Sequence, residues 1–166
     1  ILQCARENQI KKFMFSSTSA AYGRNNSPNV ETQQPDALNP YSVTKLNGEN
    51  LCKMYTELFG LRTVIFRYFN VYGPRQPVRG QYAPVLGIFK RQKDAGEPLT
   101  IVGDGNQRRD FVHVEDVARA NVMAALADPG QDAYGEVYNI GTGKNYSVNE
   151  IAEMFMHEKT YIAPRP

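Results

Sequence analysis

The sequence predicts an α/β fold, with a partial parallel sheet in its first half and a smaller α/β domain in its second. Two observations carry that expectation. Across the first 70 residues, apolar strand-like runs alternate with helical spacing, the order from which parallel sheets are built. Beyond them the elements become shorter and more irregular, as a smaller domain on the sheet would be.

Ile1–Arg6 reads as the middle of a helix that ends within residues 1–9. With no initiating Met, the chain reads as a fragment or as the ordered part of something longer. Ile10 to Ser17 (IKKFMFSS) has the character of a short buried strand, and residues 22–39, rich in Asn, Pro, Gln and Ser, that of a loop. Pro40 suits the first position of a helix. The helix then covers Tyr41–Phe59, with Leu46, Leu51, Met54 and Leu58 at helical spacing and Gly60 as its stop. Leu61–Asn70 (LRTVIFRYFN), β-branched and aromatic, is a second buried strand. Gly73, Pro74, Pro77 and Gly80 make 73–84 a loop. Val85–Ala95 is helical, Leu99–Val102 a short strand, Gly103–Asn106 a turn and Phe111–Val114 another short strand. Glu115–Ala127 forms a helix with Asp116 near its start, where the helix dipole favours an acid. Glu136–Ile140 is a strand and Gly141-Thr142-Gly143 a turn. Ser147–His157 is a helix opened by Ser147 and Glu150 in capping-box spacing.

The bulk numbers exclude several classes. A chain of 166 residues with 42% hydrophobic content can build a core, which argues against disorder. Nineteen basic residues nearly balance 17 acidic ones with no basic stripe, so a nucleic-acid partner is not expected. Cys4 and Cys52 form no CxxC pair and the two His are not clustered, so no metal site is expected; free thiols of a cytosolic, cytoplasmic protein are the plain reading. No run of about 18 apolar residues predicts a membrane span, and no signal peptide opens the chain.

Four stretches carry chemistry. In Tyr41-Ser42-Val43-Thr44-Lys45, helical spacing puts Tyr41 and Lys45 on one face. A phenol titrates near pH 10 or so in general, and a neighbouring ammonium favours its anion, so the pair is a candidate acid/base. Taken alone, an exposed Tyr–Lys pair is the plainer alternative. In Phe15–Gly23 an apolar strand runs into the hydroxyls of Ser16, Ser17, Thr18 and Ser19. Ligands of open α/β sheets sit at such carboxyl ends, although by itself the stretch is an ordinary Ser/Thr turn. Arg67–Arg75 (RYFNVYGPR) stands at another strand end, and Gln107–Asp116 carries Arg108 and Arg109 near loops. A guanidinium fork matches a diphosphate, although a single arginine is more simply a surface ion pair. His113, inside an apolar strand, reads as a core histidine.

In this order, with Asn139–Gly143 (NIGTG), Ser147–Ile151 (SVNEI) and Ala163–Pro166 (APRP), the stretches resemble the nucleotide-sugar epimerase/dehydratase family of extended short-chain dehydrogenases/reductases. The likeness covers essentially the whole chain. It implies a partial Rossmann-type parallel sheet, first strands missing, that binds NAD, and a small C-terminal α/β domain that binds a nucleoside diphosphate sugar. Residues 1–80 would belong to the NAD domain and 81–166 mainly to the substrate domain, with 111–145 returning to the sheet. Tyr41 would remove the proton of the sugar C4 hydroxyl. Lys45 would hold the nicotinamide ribose and tune Tyr41, and Thr18 would bond the same sugar hydroxyl. Ser16, Ser17 and Tyr68 would lie on the cofactor side, and Phe69 at a nicotinamide-side position. Asn70 would bind the diphosphate, and Arg109 and Arg165 would grip phosphate. Thr100, Ile101 and Val102 would lie along the uracil, with Val85 nearby. The resemblance also implies a UDP-sugar substrate and a homodimer built through a helix bundle that includes the Tyr41 helix.

The triplet Thr18-Ser19-Ala20 narrows the reaction. Dehydratases that resemble this chain carry Thr-Asp-Glu here and the decarboxylases Thr-Ser-Glu; Ala20 has no acid–base capacity. That favours oxidation and re-reduction at C4, the work of a 4-epimerase acting on a UDP-hexose or a UDP-N-acetylhexosamine. The alternatives are a dehydratase or reductase of the same family, a sugar-nucleotide-binding module without catalysis, and a fragment with no ligand. Against the family pattern, the glycine-rich turn for the NAD pyrophosphate and the acid for the adenosine ribose are absent from these residues. An isolated fragment of this kind is expected to aggregate through the open flank of its sheet, or to pair that edge with another chain.

Overall fold

The computed structural model describes residues 1–25, 28–80, 83–128 and 130–163. In chain order the elements are helix α1 (Leu2–Glu7), strand β1 (Phe13–Thr18), helix α2 (Pro40–Phe59), strands β2 (Thr63–Tyr68) and β3 (Asn70–Tyr72), helix α3 (Val85–Asp94), strands β4 (Leu99–Val102) and β5 (Arg108–His113), helix α4 (Val114–Leu126), strands β6 (Val137–Ile140) and β7 (Asn145–Ser147), helix α5 (Val148–Met154) and strand β8 (Lys159–Ile162). They form two compact units, Ile1–Phe69 with Asp116–Ile140, and Asn70–Glu115 with Gly141–Pro166.

The first unit rests on a parallel sheet in the order β1-β2-β6. Central strand β2 is buried from Thr63 to Arg67, which is why its sequence is nearly continuous in apolar residues. Val64 and Phe66 pack on one face with Tyr134, Ala124 and Tyr138, while Ile65 packs on the other with Cys52, Val137, Phe13 and Phe15. Lys12 fastens the entry to β1 by donating to the carbonyls of Ala124 and Ala127, each at 2.5 Å. A cation is well placed there, at the negative end of α4.

Helix α2 starts where Pro40 predicted. Asn39 caps it: its side chain accepts from Ser42 N at 2.9 Å, and Ser42 Oγ accepts from Asn39 N at 3.2 Å. Gly60 ends it in the left-handed conformation, φ 67°. Its buried residues are Ser42, Glu49 and Cys52 rather than large apolar side chains. Gly48 lies so near β1 that a β-carbon there would stand 2.3 Å from the Phe15 ring. A mid-helix glycine, costly by about 1 kcal/mol against alanine, here lets the helix sit close on the strand.

The second unit holds two small sheets. β3 runs parallel to β5, which pairs antiparallel with β7, and β4 runs parallel to β8. Phe89, Leu99, Ile101, Val148, Ile151 and Ala152 make its core. The predicted capping box opens α5: Ser147 Oγ accepts from Glu150 N at 3.1 Å, and Glu150 accepts from Ser147 N at 2.6 Å.

Several boundaries differ from expectation. The strand expected over Leu61–Asn70 ends at Tyr68, and Asn70 opens β3 in the second unit. β5 begins at Arg108, because the polar run Arg108–Asp110 pairs with β7. β7 and β8 were not expected, and α5 ends at Met154 instead of His157. β8 is exposed along its whole length, so no buried face imposes an alternation on its sequence.

Gly48→Ala is expected to lower stability by about 1–2 kcal/mol, since overpacking against Phe15 outweighs the propensity gained. Chemical denaturation checks this, and wild-type stability would mean that the ring yields freely. The two thiols should also differ. Burial, with a smaller contribution from the Glu49 charge, pushes the Cys52 thiol up to about 11, whereas Cys4 is exposed. Roughly one in 1,000 Cys52 thiols is then ionised at pH 8. Brief alkylation of native protein with peptide mapping should modify Cys4 and spare Cys52 until denaturant is added.

Candidate functional site

In the first unit the predicted residues gather around the carboxyl end of β1. Lys45, half-buried on α2, donates to the Ser16 carbonyl at 2.8 Å. Its ammonium also lies 5.3 Å from the centre of the Phe15 ring and 5.9 Å from that of Tyr41. Tyr41 is 57% exposed, so its phenol is open to a ligand. Two residues beyond Ser16, Thr18 Oγ1 accepts from Ala20 N at 3.2 Å and caps the turn over Ser19–Tyr22. With its oxygen accepting, the Thr18 hydroxyl keeps its own proton to donate. At Ala20 the turn offers no carboxylate.

Ser17 is placed differently from Ser16. It is 3% exposed, and its hydroxyl donates to Glu49. Glu49 in turn accepts from Arg67 Nε at 2.9 Å and Nη2 at 2.6 Å. Glu49 and Arg67 are 1% and 2% exposed, so this is a fully buried ion pair. The Arg67 guanidinium carbon lies 4.7 Å from the centre of the Tyr22 ring, whose hydroxyl donates to Asn139 at 2.7 Å. Burial works against the Arg67 charge, but Glu49 and Tyr22 outweigh it and hold Arg67 above the usual arginine range. Sequence reading missed this network. The available signal was a glutamate four residues beyond Lys45, on the same helical stripe, with an arginine inside an apolar strand.

Tyr68 and Phe69 part company at the end of β2. The Tyr68 hydroxyl donates to Asn121 Oδ1 at 3.0 Å and its ring packs with Phe66 against the cluster on the α4 face. Phe69 stands 6.4 Å from Tyr22, centre to centre.

In the second unit, Asn70, Val85, Thr100, Val102 and Arg109 line one groove of about 770 Å³, together with Arg79 and Arg91. That volume lies within the range of small-ligand pockets. Ile101 differs from expectation: β4 alternates, so its side chain is fully buried in the core while Thr100 and Val102 face the groove. Gln92 pins Thr100 by accepting from its N at 3.1 Å and donating to its hydroxyl at 2.9 Å. Asn70 donates to the Asp110 carbonyl at 2.9 Å. The Asp110 carboxylate holds the turn after β6, accepting from Thr142 N at 2.9 Å, Thr142 Oγ1 at 2.8 Å and Gly143 N at 2.8 Å. Exposed Arg109, between Arg108 and that clamp, donates to the Arg108 carbonyl at 2.8 Å. His113, expected in the core, is only half-buried at the end of β5. Its Nδ1 accepts from Glu115 N at 3.3 Å, and its ring meets that of Tyr72 edge-on. Arg165 lies outside the described residues.

A putative UDP-glucose 4-epimerase of Methanocaldococcus jannaschii is 42% identical over 160 residues, 95% of this chain and 50% of that protein. Among solved structures, UDP-N-acetylglucosamine 4-epimerase from Methanobrevibacter ruminantium M1, in complex with UDP-N-acetylmuramic acid, superposes with a TM-score of 0.92 at 37% identity, covering 99% of this chain and 54% of that one. UDP-glucuronic acid 4-epimerase from Bacillus cereus, in complex with UDP-glucuronic acid and NAD, gives 0.88 at 36% identity, covering 99% and 52%. The chain thus spans about half the length of the curated relatives it matches. Residues 1–141 match the NAD dependent epimerase/dehydratase family, and the chain belongs to that family.

Proposed function

We propose that this protein inverts C4 of a UDP-hexose or UDP-N-acetylhexosamine through a 4-keto sugar, with NAD as cofactor. The observation that carries the reading is the α2 pair: an exposed Tyr41 phenol beside Lys45, which is anchored to the β1 backbone two residues before Thr18. These residues fit the nicotinamide end of a dinucleotide. Lys45 keeps donor capacity beyond its one carbonyl bond, and Tyr41 offers a hydroxyl; both would hold the nicotinamide ribose. When bound, NAD would supply the hydride chemistry at C4.

The chain's own residues move the proton and hold the substrate. Tyr41 takes the proton of the C4 hydroxyl, with the Lys45 ammonium 5.9 Å from the centre of its ring. Thr18 donates to the same sugar oxygen. Ser16 serves through the carbonyl that orients Lys45, and Ser17 through its bond to Glu49. Phe69 contributes an apolar surface on the nicotinamide side, whereas Tyr68 stays on the α4 face, bonded to Asn121. In the second unit, Arg109 and Asn70 meet the diphosphate, Val85, Thr100 and Val102 border the nucleoside, and Ile101 fixes β4 from the core. Arg165 is assigned to the phosphate by resemblance. Water expulsion needs a further acid, and the position after Ser19 is alanine, which favours epimerisation over dehydration.

Two further assignments belong to this proposal. The outer side of α2 exposes Val43, Leu51, Met54 and Leu58, each at least 40%, a face that a second copy of the helix would cover in a homodimer. Two unpaired cysteines support a cytoplasmic location. Among the described residues no helix is long and apolar enough to cross a membrane.

In the full chain, Tyr41→Phe should lower kcat by about 100- to 10,000-fold with little change in KM. Nuclear magnetic resonance of UDP-galactose and UDP-N-acetylgalactosamine incubations, with NAD, follows the product. A 4-keto-6-deoxy product would overturn the epimerase reading. Arg109→Leu should weaken UDP binding about 10- to 100-fold, as expected for a lost charged hydrogen bond. Calorimetry with UDP measures it, and unchanged affinity would remove Arg109 from the phosphate site.

A further inference from the structure

A buried ion pair adds little stability, because desolvating both charges offsets their attraction. The Glu49–Arg67 pair carries an added cost: Arg67 Nη1 is buried without a hydrogen-bond partner. What the pair does provide is direction. Glu49 stands four residues beyond Lys45 and eight beyond Tyr41, so all three share one stripe of α2. Below that stripe, the strand register aligns Ser17 with Arg67, and Arg67 with Asn139. One carboxylate therefore grips a cross-strand row, through Ser17 on β1 and through the Arg67 fork on β2. Tyr22, over the guanidinium and bonded to Asn139, closes the row. Apolar contacts between a helix and a sheet permit sliding, whereas a bidentate fork fixes both distance and angle.

We propose that the Glu49–Arg67 pair is a positioning device that sets the depth and rotation of α2 on the sheet, and through it the reach of Tyr41 and Lys45 beside Thr18. This rests on the epimerase reading above. Eight helical residues make a lever of about 12 Å, so a tilt of about 5° at Glu49 moves Tyr41 by about 1 Å. A misplacement of that size can cost about 100-fold in rate.

The test separates positioning from stability. Glu49→Gln alone leaves a buried guanidinium without its counter-charge and risks unfolding. The double variant Glu49→Leu/Arg67→Met removes both charges and keeps apolar volume, an exchange that often preserves stability. In the full chain, the double variant should melt within a few degrees of wild type and keep KM for the UDP-sugar within about twofold. Its kcat per cofactor-loaded subunit should fall about 10- to 100-fold. The isotope effect of deuterium at the sugar C4 should rise, which a loss of folded protein would not produce. A crystal structure should show the Lys45–Ser16 contact lengthened or lost. Wild-type kcat and isotope effect in a stable double variant, or an intact Lys45–Ser16 contact, would overturn the proposal. A wild-type protein that inverts no UDP-sugar would instead overturn the function proposed above, and the Lys45–Ser16 distance would still decide the role of the pair.

Discussion

The seating of α2 on β1 and β2 is the constraint on which the first unit depends. Three contacts of different kinds define it. Gly48 against Phe15 sets how close the helix can come. The Lys45 bond to the Ser16 carbonyl fixes its position along the strand. The Glu49 grip on Ser17 and Arg67 fixes rotation. A hydrophobic interface alone would supply attraction without direction. Here the attraction is modest, since the buried residues of the helix are Ser42, Glu49 and Cys52, and the direction comes from polar groups out of water.

The second unit uses the same logic with less core. Six buried residues hold α3, β4 and α5 together, and much of the remaining backbone is held by side-chain hydrogen bonds. Gln92 fixes β4 against α3, and Asp110 ties β5 to the turn at Thr142 and Gly143. Asn149 reaches back to the Asp104 carbonyl at 3.0 Å. The groove beside them is lined mainly by apolar residues, among them Val85, Leu86 and Phe111, with Arg79, Arg91 and Arg109 as its cations.

How much of this was legible in the sequence follows from what each feature leaves there. α2 was legible because Pro40 and Gly60 mark its ends, and β2 because a central strand shows a solid apolar run. The Tyr41–Lys45 pair was legible as spacing on one helix. The alternation that sends Leu99 and Ile101 inward was available in principle, but with three apolar residues in a four-residue strand the sequence does not single out the inward pair. The break between Tyr68 and Asn70 was not legible, since residues on both sides of it suit strands and only pairing separates them. The Glu49–Arg67 pair was hidden for a stronger reason. Glutamate on a helix and arginine near a strand end both read as surface residues, and only their meeting makes burial tolerable.

That last point bears on the whole helix. Because α2 turns Ser42, Glu49 and Cys52 inward, its large apolar residues Val43, Leu51, Met54 and Leu58 are displaced outward. Its polarity is thus inverted relative to an ordinary surface helix, which buries its apolar stripe. The inversion has two consequences of one cause. Directional polar pins on the inner side place Tyr41 and Lys45, and an apolar outer side is left that water covers unfavourably. In the proposed homodimer a second copy would bury that side and supply the hydrophobic stabilisation which the inner side forgoes. Association and chemistry would then depend on the same helix from opposite faces, and a change to Val43 or Met54 would be felt at Tyr41 through the backbone they share.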